Sequence, residues 1–298
     1  MWFFSNYTNF QLITKILFES TTIFVSMSRE LEMPRLGLGT WKLSKKKCAA
    51  SVRNAIEIGY RHIDTAQIYG NETEVGQGIQ DAIEAGLVKR EDIFLATKVW
   101  IDKLSPKKVP RSTDASLNRL QVDYVDLLYV HWPLMSYKPL KTLPAFSKLV
   151  DEGKTRYIGV SNFTIKQVNK AMNALDKPIY ANQVEHHPLL HQDNLRQHME
   201  KHDIKLVAYS PLARGKVMEM PPLQDIAQKY GITETQVSLA WILSHGAIAI
   251  PKATSMAHLI ENFKAFQIKL DEVDLEKIND ITLKKRLVNP FLRRDWDG

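Results

Sequence analysis

The chain has 298 residues, 44% hydrophobic, 24% charged and 9% aromatic, with one cysteine, Cys48. That composition excludes a disordered, collagen-like or disulfide-stapled protein, and no apolar run approaches the ~20 residues that span a bilayer. The 40 basic and 33 acidic residues leave a net charge of +7. This suits an anionic ligand, but clusters such as Lys45–Lys47 and Arg293–Arg294 read as solvated faces, not as a nucleic-acid footprint.

Residues 1–28 differ from the rest, with one lysine and no arginine. Thr14, Lys15 and Glu19 interrupt the apolar positions, unlike the core of a secretory signal, while Leu12, Ile13, Ile16 and Leu17 recur at helical spacing. We expect an N-terminal extension, with Met27 as the usual initiator and 29–298 as the functional body. Without a secretion signal, the Asn-x-Thr sequons at Asn6, Asn71 and Asn162 read as chance. The single cysteine, expected to be buried and inert on a helix, fits a reducing, cytoplasmic location.

From Met33 the pattern alternates. Met33–Trp41 reads as a strand or a tight hairpin entering a strand, and a helix is predicted from Ser44 to Glu57, stopped by Gly59. Tyr60–Thr65 is extended; Asn71–Glu74 resembles a capping box opening a helix to about Ala85. The strand Ile93–Val99 precedes a helix started by Pro106, and Tyr124–His131 is strongly strand-like. Helices over Leu140–Asp151, Ile165–Leu175 and Asn194–His202 alternate with strands at Arg156–Val160, Ile179–Glu185 and Ile204–Tyr209. Two helical stretches between Leu223 and Ser244 flank Gly231, before a last strand, Ala247–Pro251, and a helix from His258 to Ala265.

Eight strands separated by helices imply parallel pairing through crossovers. Over about 240 residues they predict a single α/β domain, a (β/α)8 TIM barrel with an N-terminal hairpin. Chemistry in such a barrel gathers at the C-terminal strand ends. There the sequence places Asp64, Lys98, His131, Ser161–Asn162, Gln183–Glu185, Tyr209–Ser210 and Lys252, with Tyr69 in the loop after the second strand. A carboxylate, an ammonium, a phenol and an imidazole in one cavity form a proton-transfer set. Lys98, anchored by Asp64, is expected to lower the phenol pKa of Tyr69, which would then protonate an oxyanion at a substrate carbonyl, with His131 either orienting that oxygen or helping to relay the proton.

The segments GYRHIDTAQIYGNE (59–72), ATKVW (96–100), VHWP (130–133), GVSNF (159–163), AYSPLARG (208–215) and IPKAT…ENF (250–263) closely resemble the aldo-keto reductase family. The resemblance spans Met33 to Trp296. It implies a TIM barrel without a Rossmann domain that binds NADPH and reduces aldehydes or ketones, with Asp64, Tyr69, Lys98 and His131 as the catalytic tetrad. It places Gly39, Thr40 and Trp41 by the substrate and nicotinamide, Ser161, Asn162 and Gln183 on the carboxamide, and Tyr209 stacked on the ring. Ser210, Leu212 and Gly215 would follow the pyrophosphate, Lys252 and Thr254 meet the 2′-phosphate, and Glu261 and Asn262 lie at the adenine. His258 stands where the family usually carries arginine, and Ala253 where serine or threonine is common. A partly charged histidine weakens the preference for NADPH and admits NADH as a weaker alternative.

The short connections Pro133–Leu140 and Gly215–Pro222 and the tail KKRLVNP…DWDG resemble bacterial 2,5-diketo-gluconate and methylglyoxal reductases. A pocket of Trp41, Trp100 and Trp132 would take a small or polar carbonyl, the alternative being that these are packing aromatics, and the resemblance implies a monomer. The pairs Gly37–Gly39 and Gly76–Gly78 start a dinucleotide fingerprint, but Lys42 and Asp81 replace its third glycine. His186, His187 and His191 suggest a metal cluster, yet Pro188 disrupts the spacing and no carboxylate partner is evident; solvent-facing imidazoles and no metal are expected. Read without the family, Lys98 at a strand end also permits a Schiff-base aldolase, and the fold a cofactor-binding sensor.

Overall fold

In the computed structural model, which describes residues 31–288 and Trp296, eight parallel strands run β1 to β8 in chain order within one sheet. They are β1 (Leu38–Gly39), β2 (His62–Asp64), β3 (Phe94–Val99), β4 (Val125–Val130), β5 (Thr155–Ser161), β6 (Ile179–Glu185), β7 (Lys205–Tyr209) and β8 (Ile248–Ala249). The sheet curls until its first and last strands meet. Leu36, just before β1, bridges Ala249 of β8, and the Gly37 and Gly39 N–H groups donate to the Ala249 and Pro251 carbonyls.

That pairing corrects the expected hairpin at Met33–Trp41. These residues bond to β8 and β2 instead of to one another, because closing the sheet puts this stretch between its last strand and β2. Any hairpin or amphipathic helix within residues 1–30 lies outside the described residues, as do Asn6 and Arg293–Arg294.

Ten helices are described. Before β5 come α1 (Lys45–Ile58), α2 (Glu72–Glu84), α3 (Lys108–Leu120) and α4 (Pro139–Asp151). After it come α5 (Ile165–Met172), α6 (Asp193–Lys201), α7 (Pro221–Tyr230), α8 (Glu234–Ser244), α9 (Met256–Lys264) and α10 (Glu272–Asn279). Local chemistry sets their starts: Thr164 with Gln167 and Thr233 with Gln236 form capping boxes, while Ser255 and Asp271 cap α9 and α10. Helix α3 begins at Lys108, two residues after Pro106.

Strands β3 and β4 are buried along their whole length, as expected where helices cover one face and packed side chains fill the other. Phe94, Tyr157 and Tyr180, early in their strands, stack on one another, with Tyr157 and Tyr180 4.1 Å apart. These rings fill the interior near the strand starts. The opposite end is left for a site. Cys48 is buried on α1, and burial pushes its thiol up to about 12, which keeps it a thiol.

Candidate active site

Asp64 ends β2, Lys98 precedes the last residue of β3, and His131 follows β4, so strand registry alone carries three of the four groups to one rim. Tyr69 comes from the single 3-10 turn Gln67–Tyr69 after β2. The Gln67 amide holds this turn by donating to Ser112 O and Ser116 Oγ, while its Oε1 accepts the Trp100 N–H. Asn71 occupies the predicted N-cap of α2 but forms no capping box. Its side chain accepts from Thr65 and donates to the Thr40 and Leu43 carbonyls, tying the loop after β1 to the turn. Asn71 and Asn162 are both buried, which closes two of the three sequons to modification.

The fully buried Lys98 Nζ donates to Asp64 Oδ1 at 2.5 Å and to Thr65 O at 2.7 Å, and lies 3.4 Å from Tyr69 Oη. Gln183 donates to the other Asp64 oxygen at 2.7 Å. A buried charge pair is tolerable only when its remaining lone pairs and protons are met in this way. Burial draws the Lys98 pKa down, and Asp64 opposes the shift.

The Tyr69 phenol departs from expectation. Burial, then the negative charge of Asp64, raises its pKa well above the usual value, outweighing the ammonium. It is therefore a protonated phenol across neutral pH, with a cation beside its oxygen to receive the charge left when the proton departs. Burial holds His131 well below its usual pKa, and Lys98 adds to the shift, so its imidazole is neutral. Its ring stands 5.8 Å from that of Tyr69 and 5.0 Å from Trp100.

Asp64, Tyr69 and His131 open into a groove of about 730 Å³, with Lys98 buried behind them. Gly39, Trp41, Asp64, Tyr69, Trp100, His131, Trp132, Ser161, Asn162, Gln183, Tyr209, Ser210, Leu212, Gly215 and Lys252 all line it. Trp41 packs on Tyr69 at 4.9 Å. The Ser161 hydroxyl donates to Gln183 O, the Asn162 amide donates to His131 O and Ser161 Oγ, and Tyr209 Oη donates to Asn162 Oδ1.

Thr40 lies behind the wall, its hydroxyl donating to Asp64 O. Thr254, His258, Glu261 and Asn262 are not among the lining residues. Thr254 and His258 are exposed, Glu261 accepts from the Thr233 hydroxyl, and Asn262 is buried.

Several lining residues carried no assignment from sequence: Lys42, Ile68, Arg214 and Val288. Arg214 fell inside a segment already singled out by resemblance. Val288 fell inside the tail segment KKRLVNP, also noted by resemblance, but nothing there placed it at the groove, since only the path of the chain brings it there.

A dinucleotide fits this donor set. Arg214 and Lys252 supply cations along the groove, and Ser210, Ala213, Arg214 and Gly215 adopt left-handed backbone, with φ from 47 to 91°. Such conformations concentrate in loops that hold ligands.

The expected solvent-facing histidines are buried. His186 and His191 pack on Trp241 and bond the Leu190 and Pro188 carbonyls of their own loop, while His187 Nε2 lies 3.0 Å from Glu185 Oε1. Backbone carbonyls and a tryptophan face thus occupy them. No cluster among the described residues is suited to a metal ion, and no described helix is long and apolar enough to cross a membrane.

A model of the aldo/keto reductase family matches residues 35–282. The chain is 38% identical to methylglyoxal reductase DkgB of Escherichia coli O157:H7 over 90% of this chain and all of the relative. It is 32% identical to the NADPH-dependent D-xylose reductase of Meyerozyma guilliermondii, covering 92% and 98% of the two chains. A crystal structure of an aldo-keto reductase from a Medee basin deep-sea metagenome library superposes with a TM-score of 0.82 at 36% identity, covering 89% of this chain and 97% of that one.

Proposed function

The chain belongs to the aldo/keto reductase family, and we propose that it reduces small aldehydes and ketones to alcohols with NADPH, with Tyr69 as general acid. Methylglyoxal, diketogluconate-type sugars and aromatic aldehydes are the substrate classes. The observation that carries this reading is the Asp64–Lys98–Tyr69 chain of contacts opening into a groove that also holds Lys252 and Arg214. A reduced nicotinamide, when bound, supplies the hydride.

The chain's own residues do the rest. Tyr69 donates its proton to the carbonyl oxygen as negative charge develops there, and Lys98 stabilises the phenolate that remains. Asp64 keeps Lys98 charged and in place. His131, neutral and wedged between Tyr69 and Trp100, orients the carbonyl oxygen. Trp41, Trp100 and Trp132 exclude water around the reacting carbon, and the short loops beside them favour small substrates.

Ser161, Asn162 and Tyr209 are the residues that hold the nicotinamide, with Gln183 shared between its carboxamide and Asp64. Leu212 and Gly215 flank the pyrophosphate, and Lys252, Thr254 and His258 meet the 2′-phosphate, with NADH the weaker alternative. Glu261 and Asn262 lie towards the adenine. A Schiff base on Lys98 is disfavoured because Asp64 and Thr65 already occupy its donors. The reductase body is 29–298, and the protein works as a cytoplasmic monomer without a metal.

The test is a carbonyl panel of methylglyoxal, diketogluconate and aromatic aldehydes followed by NADPH absorbance. Carbonyl-dependent NADPH oxidation is expected. Borohydride trapping of substrate on Lys98 with no NADPH consumed would overturn the reading.

A further inference from the structure

Glu185 ends β6 with its side chain fully buried, and the proton-transfer set makes no use of it. Its two oxygens accept main-chain hydrogen bonds from the far end of the chain. Oε1 takes the Leu287 N–H at 2.7 Å and Oε2 the Val288 N–H at 3.0 Å. The His187 ring nitrogen adds a contact to Oε1, and the Arg286 guanidinium lies 3.9 Å from Oε2.

The surroundings brace the same stretch. The Lys285 N–H donates to Leu189 O, and Arg286 donates to Gln192 Oε1, while the Gln192 amide donates to the Glu185 carbonyl. Residues 281–288 belong to no helix or strand, so no regular ladder fixes their path. Hydrogen bonds to a carboxylate are roughly twice as strong as those between neutral groups, and burial would penalise the carboxylate if they were lost. Val288, fastened in this way, lines the groove with Trp41 and Trp100.

We propose that Glu185 is a positioning residue for the carbonyl substrate: it latches Leu287 and Val288 so that Val288 forms one wall of the groove. The latch itself stands on geometry alone, and its consequence for substrate rests on the reductase reading above. Two residues apart on β6, Gln183 steadies Asp64 while Glu185 steadies the tail, so one strand serves both the chemistry and the wall.

The test pairs kinetics with amide hydrogen exchange on the full chain. Glu185→Gln keeps the side-chain volume but sets an amide donor against one of the two peptide N–H groups. It should raise the carbonyl KM about tenfold, leave kcat and NADPH affinity nearly unchanged, and speed exchange at Leu287 and Val288 at least about tenfold. Val288→Pro, which deletes one donor without touching the strands, should produce the same KM rise, so the test survives misfolding of the first variant. Unchanged KM and exchange in the folded variants would overturn the proposal, as would a loss of kcat with KM unmoved. Faster exchange in Glu185→Gln, with a wild-type protein that reduces no carbonyl, would remove the reductase reading and the substrate role together, leaving only a structural latch.

Discussion

His186 is stacked on Trp241, and burial pushes its pKa down to about 3; burial also draws His62 down to about 4. Both are neutral in the folded protein, whereas unfolded histidine titrates near 6.5. Below that pH the unfolded chain takes up protons that the folded one refuses. Stability is therefore complete above about pH 7 and falls on acidification, down to about pH 4 for His62 and about pH 3 for His186. Each histidine costs about 2 kcal/mol between pH 7 and pH 5. Urea unfolding at the two pH values should show His186→Phe losing about 2 kcal/mol less than wild type; an equal loss would show that this ring titrates freely. At a second position, His258→Arg should tighten NADPH several-fold more than NADH in fluorescence titrations, because arginine stays charged at neutral pH. Equal effects on both cofactors would place residue 258 away from the 2′-phosphate. Residue types at predicted strand ends pointed to Asp64, Tyr69, Lys98 and His131 as a candidate proton-transfer set, but the direction of the Tyr69 shift needed its burial. The same holds for His186 and His187, whose partners are a tryptophan face and a buried carboxylate.

Helix α2 packs so closely on its neighbours that two of its positions admit no side chain. A Cβ at Gly76 would lie 2.4 Å from the Leu120 carbonyl oxygen at the end of α3, and one at Gly78 would lie 2.4 Å from the Ala49 oxygen of α1. This contact explains the Gly-x-Gly spacing that resembled a dinucleotide fingerprint: the glycines serve helix packing. Gly76→Ala should therefore destabilise the protein by about 1–3 kcal/mol, although in an exposed helix the same change stabilises by roughly 0.5–1 kcal/mol. A lower urea midpoint at unchanged slope would bear this out, and a raised midpoint would contradict it. Most elements were legible from periodicity and stop signals: β6 runs over the predicted Ile179–Glu185, and Gly231 separates α7 from α8. What escaped was set by tertiary contact. Leu36, just before β1, took its partner from β8, the Asn71 amide left its cap to brace a loop, and α10 is held in part by Trp241 Nε1 donating to Asn279.

Across the whole molecule, the parallel order of strands follows from strict strand–helix alternation, and it gathers side chains distant in sequence at one rim. The mild excess of positive charge has a local meaning here, with Lys252 and Arg214 in the groove and the exposed Lys45–Lys47 run on the surface. Residue types and family motifs made the candidate rim legible; the wall contributed by Val288 was not, because no local pattern ties the tail to β6. The central claim is that Tyr69 supplies the proton for NADPH-dependent carbonyl reduction. It is tested most directly by measuring methylglyoxal-dependent NADPH oxidation and NADPH binding for wild type and Tyr69→Phe. The account predicts a fall in kcat/KM of about 10²–10⁴-fold with NADPH affinity preserved; near-wild-type turnover in the variant would contradict it.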